Sequence, residues 1–178
     1  MPVKNTKVAI ENGMGYVSKN RDVESLALQS PIMDNIASTG YKANRFFGPF
    51  ISFKKEKEYV RRQVRNLSLK CASIYHNVST LSGGNKQKVV FGKWIAADSD
   101  ILILDCPTRG IDIGVKASMY QLIYDMKKAG KAIILISEEL PELIGMSDRI
   151  IIMKDGQITC NVKRTEGFSE HSLIQYMI

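Results

Sequence analysis

Long apolar runs are missing from this chain. The longest, such as Ala132 to Ile136, span about five residues, where a bilayer crossing needs about 18. No segment therefore reads as a transmembrane helix, and membrane association has to come through a partner. Met1 to Gly13 is polar and charged, which predicts no secretory leader. Cysteine is scarce: Cys71, Cys106 and Cys160 have no paired spacing, so neither a disulfide framework nor a zinc site is expected, and a reducing, cytosolic setting is. His76 and His171 stand alone, without metal-ligand spacing, and read as ordinary surface or core residues. Internal repeats and low-complexity segments are absent as well.

What is present suffices for one domain with a sizeable core: 178 residues, 44% of them hydrophobic. The net charge of +7 is concentrated. Tyr41 to Lys70 holds nine basic residues (Lys42, Arg45, Lys54, Lys55, Lys57, Arg61, Arg62, Arg65, Lys70) against Glu56 and Glu58, an excess equal to that of the whole chain. Val60, Val64 and Leu67 recur at helical spacing there, so Ser52 to Leu69 is expected to form an amphipathic helix with a cationic face. Phe46-Phe47-Gly48-Pro49-Phe50 reads as a break before it. The cationic face fits a solvated surface, a surface near anionic lipid or a membrane partner, or a nucleic-acid patch. Nucleic-acid binding is disfavoured, because only Tyr59 is interleaved as a stacking residue.

Two segments carry chemistry. In Leu81-Ser82-Gly83-Gly84-Asn85-Lys86-Gln87-Lys88, paired glycines after a serine let backbone amides at a helix N-terminus approach an anion without Cβ obstruction. Val90, Phe91, Trp94 and Ile95 follow at helical spacing, so the turn has a helix to cap. Some twenty positions on, Ile101 to Leu104 ends in Asp105, which predicts a strand buried on both faces with an acid at its carboxyl end. Ligands bind at that edge of open α/β sheets, and a carboxylate there can hold magnesium. Each piece alone is more ordinary, a turn and a helix cap; their order and spacing are what point to a phosphate site.

Downstream, Val115, Met119, Leu122, Ile123 and Met126 form a helical stripe, read as core, that stops before Gly130. Lys131 to Ser137 reads as a short buried strand and Pro141 to Met146 as a short helix. Ile150 to Lys154 and Gln157 to Val162 read as a hairpin around a type I′ turn at Asp155-Gly156. Lys163 to Ile178 reads as a terminal helix after a loop at Gly167. The alternation predicts an α/β layer architecture with a mostly parallel core sheet, a helical subdomain and a C-terminal β-hairpin.

Leu81 to Lys88 resembles the signature motif of ABC ATPases, and Ile101 to Asp105 resembles their Walker B strand. Cys106 to Gly114 resembles the stretch that follows, with the D-loop at Asp112. Asn85-Lys86-Gln87-Lys88, Thr108-Arg109-Gly110-Ile111-Asp112 and Glu139 to Ile150 are similar to the second nucleotide-binding half of bacterial simple-sugar importers of the ribose, galactose and xylose kind. Gly15 to Arg21 is similar to a segment of those importers reading Gly-x-x-Tyr-Val-Pro-Glu-Asp-Arg, near the contact with the membrane partner. Here Ser18, Lys19 and Asn20 replace Pro, Glu and Asp. The resemblance implies an incomplete ABC-type P-loop NTPase domain: residues 1–40 a remnant of core and coupling contact, 41–80 the helical subdomain, and 81–178 signature helix, Walker B, D-loop and C-terminal core. In that frame Ser82, Gly83, Gly84 and Asn85 contact ATP held by a partner half, Asp112 belongs to this chain's own nucleotide site, and Asp105 takes Mg2+.

Several positions depart from a working catalyst. No Gly-x-x-x-x-Gly-Lys-[Ser/Thr] phosphate loop occurs, and the chain is read as beginning past it, so ATP binding by the chain alone is expected to be weak or absent. Cys106 stands where the family has its catalytic Glu, and Glu138 where it has a switch His; a thiol is no equivalent base, and an anion repels a γ-phosphate. Cys106 reads as a packing residue rather than a redox switch. The implied partners are another nucleotide-binding half, a transmembrane permease subunit and, indirectly, a periplasmic or lipoprotein sugar-binding protein, with no nucleic acid. The implied location is cytoplasmic, on the inner face of the membrane. The implied function is an ATP-binding sugar-import component with little hydrolysis; the alternatives are a non-cycling structural or regulatory remnant, and a non-transport ABC ATPase. Beside the Walker B strand, an uncovered strand edge is expected where the phosphate-loop strand is missing.

Overall fold

A computed structural model describes residues 2–40 and 52–177. Lys42, Arg45 and the Phe46 to Phe50 break lie outside the described residues. The chain divides into two compact units, 1–134 and 135–178.

The first unit is built on parallel strands. After α1 (Thr6–Glu11), β1 (Met14–Val17) pairs with β2 (Ile101–Asp105) in register from Met14 with Ile101 to Val17 with Leu104. β3 (Ala132–Ile136) completes a sheet in the order β1-β2-β3. Parallel pairing places the segments leaving β1 and β2 at one sheet edge, so Ser18 to Arg21 emerge beside Cys106 to Arg109. The short helices α2 (Arg21–Glu24) and α3 (Ile32–Ala37) follow β1.

The basic segment forms α4 (Phe53–Asn66), whose N-cap Ser52 accepts a bond from the Lys55 amide. The expected apolar stripe is present, with Val60 and Leu67 buried, and one acid departs from it: Glu56 is turned inward at 1% exposure. The signature segment opens α5 (Gly83–Ala96), a 14-residue helix with Val89, Val90 and Phe91 fully buried. Gly92 of α5 faces Leu67 and Ile36, and Trp94 lies against Gly15 of β1. α6 (Ile113–Lys128) buries Met119, Ile123 and Met126 and ends before Gly130, whose φ of +84° fits the expected helix stop.

Two expectations about the strands need correction. β2 has a neighbour on both sides, so the uncovered apolar edge lies not beside it but at β3, the last strand of the sheet. Nor are the strands buried on both faces. In β2 Leu102 and Leu104 are buried while Ile101, Ile103 and Asp105 are half-buried; in β3 Ile134 and Ile136 are 52% and 47% exposed. An apolar composition reports preference for burial, whereas burial itself needs a covering layer, and β3 has none over that face among the described residues.

The second unit holds α7 (Leu140–Met146), the antiparallel pair β4 (Arg149–Lys154) and β5 (Gln157–Lys163), and α8 (Glu170–Ile174). Asp155 and Gly156 both take positive φ, 49° and 76°, as a type I′ turn requires. Its core is Leu140, Ile150, Ile152 and Leu173. The Arg164 guanidinium donates to the carbonyls of Ile144, Gly145 and Ser147, satisfying the C-terminal end of α7.

Candidate functional site

Ser82 is the N-cap of α5, exposed, with extended backbone and no side-chain bond to the first-turn amides. Its Oγ instead accepts from Asn85 Nδ2 at 2.9 Å, while Asn85 Oδ1 accepts from the Lys70 amide at 2.9 Å. A helix start left without a side-chain cap suits an outside anion. The two glycines differ in role. A Cβ on Gly83 would stand 3.0 Å from Arg21 Nη2 and 3.5 Å from the Gly110 carbonyl, whereas a Cβ on Gly84 would meet Val115 Cγ1 at 2.7 Å. Gly84 is buried and lets α5 pack against α6. Thus the signature turn lies directly on the 110–115 segment that contains Asp112. Asp112 is the exposed N-cap of α6, its carbonyl accepting from the Val115 and Lys116 amides.

Asp105 ends β2, half-buried, and its Oδ2 accepts a bond from Tyr16 Oη at 2.9 Å. That bond and partial burial hold the Tyr16 phenol above its ordinary pKa. Among the described residues no group of three metal-ligating side chains occurs. Asp105 offers a single carboxylate, which suffices for magnesium only where phosphates and water supply the other ligands. Cys106 follows in a left-handed conformation, φ +45°, and is 9% exposed, which agrees with a packing residue. Glu138 follows β3 and is exposed. His76 and His171 are both exposed.

Arg21 was not singled out by sequence pattern, yet it connects these parts. Its Nη1 donates to the Arg109 carbonyl at 3.0 Å, and its Nη2 lies over Gly83. Beside it, Asp22 pairs with Lys86 of α5 at 2.8 Å. Tyr16 was likewise missed as a functional residue; the only signal was its place near the start of the Gly15 to Arg21 segment that resembles a family motif.

The geometry defines an ATP-binding-cassette-like domain, and comparison with known proteins agrees. The family model described as ABC transporter matches residues 3–109, and the chain belongs to that family. It is 41% identical over 170 residues to the ribose import ATP-binding protein RbsA of Bacillus subtilis, covering 94% of this chain and 34% of that protein. It is 44% identical over 170 residues to the L-arabinose transport ATP-binding protein AraG of Geobacillus stearothermophilus, covering 94% and 33%. The chain thus spans about a third of the length of these relatives. A solved ATP-binding cassette, a dimer in a post-hydrolysis state bound to ADP and Pi, superposes with a TM-score of 0.73 at 18% identity, covering 90% of this chain and 68% of that one; this likeness establishes the fold. No helix among the described residues is long and apolar enough to cross a membrane.

Proposed function

We propose that this chain is an ATP-binding component of a simple-sugar ABC importer that presents Ser82, Gly83, Gly84 and Asn85 to a nucleotide held by a partner half, and itself hydrolyses little ATP. The observation that carries the reading is the exposed, side-chain-uncapped start of α5. Ser82 and the first-turn amides point a partial positive charge outward, the arrangement that stabilises a terminal phosphate. Asp105 would hold Mg2+ together with the phosphates, supplying the charge neutralisation that phosphoryl transfer needs; Asp112 would flank this chain's own nucleotide site. Cys106 in place of a carboxylate and Glu138 in place of a histidine support low turnover there. In this reading residues 1–40 contribute core and coupling contact, 41–80 the helical subdomain, and 81–178 the signature and C-terminal core. The permease, and through it a sugar-binding protein, would be the further partners, at the inner face of the membrane. The test is ATPase activity of a phosphate-loop-bearing half mixed with this chain. Stimulation lost in Ser82→Arg supports the reading; stoichiometric ATP turnover by this chain alone overturns it.

A second reading, a non-cycling structural or regulatory remnant, is favoured by Ser18, Lys19 and Asn20 together with Cys106 and Glu138. It predicts that Ser82→Arg leaves the partner's ATPase rate unchanged even in a Cys106→Glu background.

A further inference from the structure

α4 carries six basic residues, and four of them fall in line. At about 3.6 residues per turn, Lys54, Lys57, Arg61 and Arg65 form one stripe along the helix. Lys54, Arg61 and Arg65 are exposed and Lys57 is half-buried, while Glu56, Tyr59, Val60 and Gln63 pack inward from the opposite face. The protein's own core therefore holds the helix and leaves the stripe at the surface. Among the described residues none of the four makes an ion pair; Lys57 Nζ instead sits 5.3 Å from the centre of the Tyr75 ring. Glu58, the one exposed acid of α4, lies on the flank of the stripe toward Arg62. Apolar groups border the other flank: Phe53, one turn before Lys57, is 74% exposed, and Tyr75 is 51% exposed.

We propose that the Lys54, Lys57, Arg61 and Arg65 face of α4 docks on the anionic lipid headgroups of a membrane, with Phe53 and Tyr75 at the headgroup boundary. The charge is complementary: a leaflet rich in acidic lipid attracts basic residues near its surface, each raising affinity about fivefold. Exposed rings beside such a row suit the same layer, where an aromatic body meets acyl chains and its edge meets water. A reader of single-stranded nucleic acid would interleave rings with the cations to stack successive bases. Here both rings lie toward the Phe53 end, and none stands between Arg61 and Arg65. Because the apolar face of α4 is already buried in the protein, the helix lies on the membrane without inserting, and binding is electrostatic and salt-sensitive. The chain makes this contact itself, without a permease, and the inference does not rest on the reading of the signature turn.

The test is flotation of the full chain with vesicles of phosphatidylcholine alone, or of phosphatidylcholine with an equal part of phosphatidylglycerol. The chain is expected to float with the anionic vesicles at about 0.1 M salt, to be released at about 0.5 M, and to stay behind with the neutral ones. Arg61→Gln and Arg65→Gln should each weaken binding to the anionic vesicles about fivefold, and the two together about thirtyfold. Arg61→Lys, which keeps the charge, and Lys154→Gln, on the hairpin of the second unit, should bind as the parent does, with circular dichroism confirming each fold. Phe53→Ser should weaken binding while leaving its salt dependence unchanged, the mark of an apolar contact. Equal binding to the two kinds of vesicle, or parent-like binding by the folded double variant, overturns the assignment. So does binding of a mixed-sequence duplex DNA that the double variant loses while anionic vesicles leave the parent behind, since the stripe is then a nucleic-acid site. None of these outcomes alters stimulation of a partner half through Ser82, which keeps its own test.

Discussion

Tyr16 Oη and Asp105 Oδ2 are joined by a 2.9 Å hydrogen bond across 89 positions of sequence, from β1 to the end of β2. The carboxylate holds the phenolic proton, so Tyr16 ionises above its ordinary value of 10.0. A folded-state pKa raised above the unfolded one means that the pair's stabilisation is complete below the ordinary value and is lost as pH rises through the folded value. With Tyr16 43% exposed, solvent weakens the effect. Titration of the Tyr16 ring carbon by NMR should show ionisation displaced to high pH, and Asp105→Asn should return it toward the ordinary range. An unchanged Tyr16 titration in Asp105→Asn would refute the coupling.

Gly84 is required by packing. Placing a Cβ 2.7 Å from Val115 Cγ1 forces a stiff, β-branched side chain or a helix to move. Overpacking of this kind costs about 1–3 kcal/mol, more than the roughly 1 kcal/mol that alanine gains over glycine within a helix. Gly84→Ala should therefore lower stability in urea denaturation by about 1 kcal/mol. In a Val115→Ala background the same change should become neutral or favourable, and a persistent loss there would show that the close contact is not the cause.

Asn85 ties the signature turn to the segment that follows α4 through the Lys70 amide, and to Ser82 through its own side-chain amide. Asn85→Ala removes both bonds and should cost about 1 kcal/mol. Asn85→Asp keeps an acceptor for the Lys70 amide and adds a negative charge to the first turn of α5, where the helix dipole favours it. Its stability should stay within about 0.5 kcal/mol of the parent, while stimulation of a partner half should fall, because the new charge opposes a phosphate. Equal destabilisation of the two variants would mean that the Lys70 contact contributes nothing.

The parts of this chain readable in advance are those whose cause is local. Ile101 to Asp105, the Asp155-Gly156 turn and the Gly130 helix stop each carry their own pattern within a few residues, and the structure places them as expected. Contacts formed at long range carried no such mark. Arg21 reaches Gly83 and Arg109, and Tyr16 reaches Asp105, only because parallel pairing brings the exits of β1 and β2 together. Gly84 looked like a phosphate-approach glycine because the motif reading considers the ligand side; the opposite side, against Val115, is visible only in three dimensions. β3 was misjudged for a similar reason, since its five apolar residues state a tendency and not the presence of a neighbour.

That uncovered face has a consequence for the chain in solution. Ile134 and Ile136 are about half exposed on an edge strand of the sheet, and an apolar edge strand is a template for pairing with another chain. Lysine at such a position opposes edge-to-edge contact through charge and removes apolar surface. Ile134 is already 52% exposed, so the substitution gives up little buried area. Ile134→Lys should therefore reduce concentration-dependent light scattering of the 178-residue chain while changing its denaturation midpoint little. If scattering is unchanged but stability drops sharply, the side chain is buried in the solution state, and the open-edge description of β3 fails.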